Sequence, residues 1–153
     1  MFHTFVALVQ AKPGILTRVA SLLLVLASVS AGAQTVQIHV RFLDGRNGKP
    51  ISNQQVHVFD FTHQQEIPTS RTDQLGRVLV NVSEDSVINA GTRDFIDCTK
   101  SSNVSYTSGK VNQILLTGVI GRNLCGKAPA APAPGELVVF VRPWGFWEKL
   151  KVD

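Results

Sequence analysis

Thr35-Val36-Gln37-Ile38-His39-Val40-Arg41-Phe42-Leu43 decides how this chain folds. Val36, Ile38, Val40 and Phe42 fall on one face and Gln37, His39 and Arg41 on the other, which is the period of a strand with one side buried. The next seven residues, Asp44-Gly45-Arg46-Asn47-Gly48-Lys49-Pro50, hold two glycines, an Asn-Gly pair and a proline, the chemistry of a turn. Val56, Val58 and Asp60 then alternate with His57, Phe59 and Phe61 in a second strand. Residues 62–70 are polar and contain Pro68, so they read as a loop. Thr72-Asp73-Gln74-Leu75-Gly76-Arg77 is a second tight turn, feeding Val78, Val80 and Val82 into a third strand.

Downstream the pattern is less regular. Residues 86–90 and 93–98 read as short strands separated by Gly91. Residues 110–120 carry Val111, Ile114, Leu115 and Val119, a spacing that suits a helical turn or a buried strand equally. Lys127-Ala-Pro-Ala-Ala-Pro-Ala-Pro-Gly135 is a stiff, extended segment. Too few residues follow it for a second domain, so residues 136–142 are expected to return to the same core. Their Leu137-Val138-Val139-Phe140-Val141 run suits a strand buried on both faces and central in its sheet. Short strands with frequent turn signals indicate an all-β fold, an antiparallel β-sandwich.

The chain has 153 residues, 44% of them hydrophobic and 17% charged, with a mean hydropathy of +0.11. That excludes a disordered chain, a coiled coil or a multi-domain enzyme. Part of the apolar content is concentrated near the N-terminus. Lys12 and Arg18 precede an apolar stretch, residues 19–29, which ends in Ala31-Gly32-Ala33, the small-x-small pattern of a signal peptidase site. The stretch is shorter than the ~20 residues needed to span a bilayer. Residues 1–33 are therefore expected to be a signal peptide, with a retained N-terminal anchor as the alternative. Residues 34–153 would form a single secreted or periplasmic domain with no further membrane span. Of the 15 basic residues, Lys12 and Arg18 leave with the signal, so 13 remain against 11 acidic ones, a net +2. So small and scattered an excess gives no support to nucleic-acid binding.

Cys98 and Cys125, an even pair in an exported chain, predict a disulfide. Closing this loop of about 28 residues would stabilise the domain by roughly 3–4 kcal/mol in the chain-entropy model. The bridge would pin the residues inside it onto the sandwich as an insertion.

Val36-x-Ile38-x-Val40-x-Phe42, the Asp44–Ile51 turn, Val56-His57-Val58, and Thr72-Asp73-x-x-Gly76-Arg77-Val78 together resemble the carboxypeptidase regulatory-like domain. The resemblance covers about residues 35–83 and rests on turn chemistry; beyond residue 83 the sequence departs from that pattern. It implies a transthyretin-like, Ig-like β-sandwich and an accessory module of the kind appended to peptidases or outer-membrane receptors. The same fold hosts hydroxyisourate hydrolases, whose C-terminal Tyr-Arg-Gly-Ser is missing from this chain's Trp147–Asp153 ending.

Candidate chemistry is sparse. His39 and His57, placed on adjacent strands and facing outward, would make a two-histidine metal site, though a third ligand at suitable spacing is missing. No Gly-x-Ser-x-Gly elbow, His-Glu-x-x-His or phosphate-cradling loop occurs, so no cofactor and no catalytic residue is expected. Asp94 and Asp97 read as solvated or capping carboxylates. The sequons Asn81-Val82-Ser83 and Asn103-Val104-Ser105 matter only in a eukaryotic secretory route. Trp144, Phe146 and Trp147 cluster beyond Pro143 and contain both tryptophans. They are the candidate ligand-binding residues, suited to stacking on sugar rings or anchoring a protein partner, or else they cover the end of the core. The function expected is a non-enzymatic binding module for a protein or a polysaccharide. A small hydrolase or metal-dependent enzyme using His39 and His57, and a structural envelope component, are the alternatives.

Overall fold

The computed structural model describes residues 34–99, 107–145 and 148. The signal segment, Phe146, Trp147 and the Asn103 sequon lie outside the described residues. In chain order the elements are β1 (Thr35–Asp44), β2 (His57–Asp60), β3 (Gln65–Ile67), β4 (Arg77–Ser83), β5 (Val87–Gly91), β6 (Phe95–Asp97), β7 (Thr107–Lys110), α1 (Val111–Thr117), β8 (Val119–Ile120) and β9 (Glu136–Pro143). One sheet has the order β4-β1-β9-β6, with β8 also on β9, and the other has the order β3-β2-β5-β7. Their inner faces share one core, in which Ile38, Val40, Phe42, Val80, Leu137 and Val139 meet Val56, Val58, Ile88 and Ala90. The all-β sandwich expected from the sequence is the fold.

The two turns of the N-terminal half show why those residues are needed. Asp44 is buried and its carboxylate accepts from the Arg46 amide at 2.9 Å, from Arg46 Nε at 3.0 Å and from Nη2 at 2.7 Å. The Arg46 side chain, followed by its amide and charge, holds the Asp44 carboxyl below the usual carboxylate range against the opposing effect of burial. In the second turn, Thr72 Oγ1 donates to the Ile51 carbonyl at 2.8 Å and accepts from the Gln54 amide at 3.0 Å. Asp73 Oδ1 accepts from the amides of Leu75 and Arg77, both at 2.8 Å. Gly76 adopts φ +74°, and a Cβ there would run into the Phe42 carbonyl oxygen.

Three details differ from the sequence reading. Residues 62–70 contain β3, whose pairing with β2 sets Phe59 opposite Glu66; three residues are too few for a periodic signal. Two pairings, β1 with β9 and β8 with β9, are parallel, while the others are antiparallel. Nor is the disulfide loop merely an attachment. The segment between Cys98 and Cys125 supplies β7 to one sheet, β8 to the other, and α1 between them. Helical spacing prevails in residues 111–117 because it turns both Val111 and Ile114 into the core, where each is fully buried, and leaves Leu116 in solvent.

β9 is the central strand, and from Glu136 to Val141 every residue is buried. Its inner side chains meet the sandwich core. On its outer face, Val138 and Phe140 join Leu43 and Cys98 in a second apolar cluster covered by Cys125, Ala128 and Ala130. The alanine- and proline-rich segment is therefore a strap across the outside of the sheet. It is tied down by the Cys98–Cys125 disulfide, whose Cα atoms are 5.2 Å apart. Gly45 sits beneath this tie: a Cβ on it would lie 2.8 Å from Cys98 Sγ and 2.5 Å from Asn123 Oδ1.

Replacing both cysteines by serine should lower the unfolding free energy by about 3 kcal/mol in denaturant melts. Gly45→Ala should cost about 1–3 kcal/mol through overpacking at the bridge. A melting curve for Gly45→Ala that superimposes on wild type would contradict this account of the strap's anchorage.

Candidate functional site

The Trp144 region is built from the ends of two strands and the disulfide. β6 pairs with the last residues of β9, setting Ile96 beside Arg142. Arg142 and Trp144, two residues apart, open onto the side of the sheet where Cys98 lies. There Ile96, Asp97, Cys98, Leu124, Cys125, Arg142, Trp144 and Glu148 line an open cleft of about 420 Å³. Trp144 is half-buried. Its Nε1 donates to the Arg93 carbonyl at 3.3 Å, which fixes the edge of the indole and leaves its apolar surface to the cleft wall.

The polar groups of the cleft are engaged with one another or with neighbouring backbone. Arg142 donates from Nη1 to Glu148 Oε2 at 2.7 Å and from Nη2 to Oε1 at 2.5 Å, a bidentate pair. Hydrogen bonding to Glu148 raises the Arg142 pKa from its ordinary value. Glu148 also accepts from the Gly145 amide at 2.8 Å, tying the chain after Trp144 back on itself. Asp97 caps backbone: Oδ1 accepts from the Thr99 amide at 2.7 Å and hydroxyl at 2.6 Å, and Oδ2 from the Thr107 amide at 3.1 Å. The chemistry on offer is thus a recess with an aromatic wall, apolar sides and a rigid disulfide. It suits binding and stacking better than proton transfer.

The histidines are not brought together. His39 is on β1 and His57 on β2, strands of different sheets, and each points away from the shared core. The expectation of adjacent strands fails because the chain crosses from one sheet to the other between β1 and β2, β1 and β4 lying in one and β2 and β3 in the other. His57 Nδ1 is instead 2.6 Å from Glu66 Oε1 on neighbouring β3. Among the described residues no group of three or more His, Cys, Asp or Glu could hold a metal ion.

No family model matches the chain, nor does any curated protein or any solved structure. The geometry of the domain itself is therefore what bears on its function.

One polar cluster goes unnoticed in the sequence. Asp60 faces inward at the end of β2, 1% exposed, and accepts from Ser86 Oγ at 2.7 Å and from the Thr62 and His63 amides at 2.9 and 3.2 Å. His63 Nδ1 lies 2.8 Å from the same carboxylate and 3.3 Å from Ser86 Oγ. The three residue types are those of a nucleophilic relay, but the connectivity is not. Ser86 is buried and gives its proton to the carboxylate, and serine and aspartate meet the same ring nitrogen, whereas a relay needs them on opposite ones. The cluster fixes the turn after β2. Its only sequence signal is an acid at an inward strand position, which has to find donors.

This pairing has a pH signature. Burial by itself would raise the Asp60 pKa, but hydrogen bonds from Ser86, His63 and the two backbone amides prevail and hold it below 3.8. The hydrogen bond to Asp60 raises the His63 pKa above 6.5. The Asp60 contribution to stability is present above pH 3.8 and lost as pH falls through its lowered value. The His63 contribution is complete below pH 6.5 and lost as pH rises through its raised value. Thermal unfolding across pH should show a decline as pH rises above 6.5 that His63→Asn removes. Identical alkaline limbs in the two proteins would rule out the pair as its cause.

Proposed function

We propose that this protein is an exported, non-enzymatic binding module of the carboxypeptidase regulatory-like type, which holds a protein or polysaccharide ligand in the cleft beside its disulfide. The observation that carries this reading is the cleft itself. It is large enough for a sugar ring or a large side chain, and Trp144 forms one wall next to a cross-link that keeps the recess open. A pyranose ring presents an apolar face of C–H groups, and an aromatic or aliphatic side chain presents a similar surface; either can stack on the indole. The disulfide fits residence in an oxidising compartment, the periplasm or the cell exterior. Among the described residues no helix is long and apolar enough to cross a membrane.

The placement of His39 and His57 in separate sheets lends no support to the alternative of an enzyme using both. Binding is the more economical reading of a site whose ionisable groups are occupied in holding one another or the backbone.

Co-sedimentation of residues 34–153 with insoluble polysaccharides and cell-wall preparations tests this directly. Trp144→Ala should reduce binding about tenfold or more, a typical loss for a central aromatic anchor, with the melting temperature checked alongside. Retention by none of the preparations would remove polysaccharide and leave a protein ligand. Retention unaffected by Trp144→Ala would move the site away from the cleft.

A further inference from the structure

A different surface, the outer face of the first sheet at the end away from the cleft, has charges that the fold does not balance. The β1–β4 register sets Arg41 directly opposite Arg77, two like charges in contact positions, an arrangement that is unfavourable by itself. The parallel β1–β9 register brings Glu136 level with His39 and next to both arginines. Glu136 is 4% exposed. Its Oε1 lies 3.2 Å from Arg77 Nε and 3.8 Å from Arg41 Nη1, while Oε2 accepts from the Ala133 amide at 3.3 Å. One carboxylate, already shared with the strap, thus serves two guanidinium groups. Arg41 Nε is buried with no hydrogen-bond partner, and among the described residues the Arg41 guanidinium makes no hydrogen bond at all, only the ion pair to Glu136. Asp73, the acid nearest in sequence to Arg77, is turned to backbone amides.

From these residues the same face continues along β1 and β4 as exposed His39 and Leu79, then Gln37, whose Nε2 donates to Asn81 Oδ1 at 3.1 Å. From residue 41 to residue 37 is about 13 Å of strand. We propose that this strip is a contact surface for an acidic polysaccharide, with the Arg41–Arg77 pair receiving an oxyanion, a uronate carboxylate or a sulfate ester. The unequal count of guanidinium groups and carboxylates supplies the charge complementarity. The planar fork of arginine matches an oxyanion in a bidentate contact, and exposed Leu79 offers an apolar patch to the ring beside it. The site is an open sheet face, where a single ion pair contributes little. A polymer carrying its charge at every repeat overcomes this by engaging repeatedly. The inference rests on the binding-module reading for its class of ligand, but it uses none of the cleft residues.

Affinity electrophoresis in gels containing polygalacturonate, dextran sulfate or neutral dextran tests it. Wild type should be retarded by an acidic polymer and not by dextran, and released at about 0.5 M salt, where screening acts within ~4 Å. Retardation by polygalacturonate assigns the carboxylate, and retardation by dextran sulfate alone assigns the sulfate ester. Arg77→Gln, on the sheet edge, should weaken retention about tenfold, and Arg41→Lys, which keeps the charge but loses the fork, by less. Failure of wild type to be retarded by either acidic polymer would overturn the proposal. So would folded Arg77→Gln and Arg41→Lys proteins that both match wild type. Salt-insensitive binding that depends on Trp144 belongs to the cleft, so failure of one site is distinguishable from failure of the other.

Discussion

A strand that is apolar on both faces has to be covered twice. β9 is such a strand, and most of the architecture follows from that requirement. The sandwich covers its inner face in the ordinary way, sheet against sheet. Its outer face would leave Val138 and Phe140 in water, and burying each large apolar side chain contributes about 1.5–3 kcal/mol. The strap supplies that cover, and the Cys98–Cys125 bridge holds the strap in place. Alanine and proline suit this position: small side chains let an extended backbone lie flat on the sheet, and proline reduces the entropy lost in ordering it. Gly45, in the turn just after β1, is the matching concession below, a position without a Cβ where the bridge comes close.

Three acids, Asp44, Asp60 and Glu136, are buried at strand ends, and each is matched differently. Asp44 has one arginine in a two-pronged contact. Asp60 has a hydroxyl, an imidazole and two amides. Glu136 is divided between two arginines and an amide. Buried charges are costly unless so matched, and the first two sites are saturated within the domain. In the third it is the cations, rather than the acid, that are left in excess. The cleft around Trp144 shows the opposite pattern: its polar groups are satisfied by one another or by nearby backbone, and what it presents to a ligand is chiefly shape and apolar surface.

Much of the sandwich could be read before the structure. Strict alternation marked β1 and β4, and the paired turns around residues 44–50 and 72–77 marked the strand ends, because turn chemistry and period-two patterning act locally. The buried run of β9 was legible for the same reason. Pairing is a different matter. Nothing in residues 35–60 tells whether consecutive strands share a sheet, so the separation of His39 from His57 had to come from tertiary structure. The parallel contact of β1 with β9 was equally hidden, since a continuous apolar run reveals burial but not direction. Residues 127–135 read as a stiff, extended segment, yet their role as a cover depends on an apolar outer face belonging to other segments. Trp144 was visible as a candidate, but its sharing a cleft with the disulfide was not.

The parallel pairing of β1 with β9 also governs how the domain comes to be folded. His39 and Glu136, neighbours in the sheet, are about a hundred residues apart in the chain, and β4 flanks β1 on its other side. Contacts so distant in sequence make for a high contact order and slow folding. A chain emerging from its N-terminus can join β1 to β4 early, but the central place in the sheet stays vacant until β9 arrives. Completion of the core therefore waits until residues 136–143 have been delivered. Over that interval β1 presents an unpaired edge, and the speed with which β9 fills it decides between folding and association with another chain.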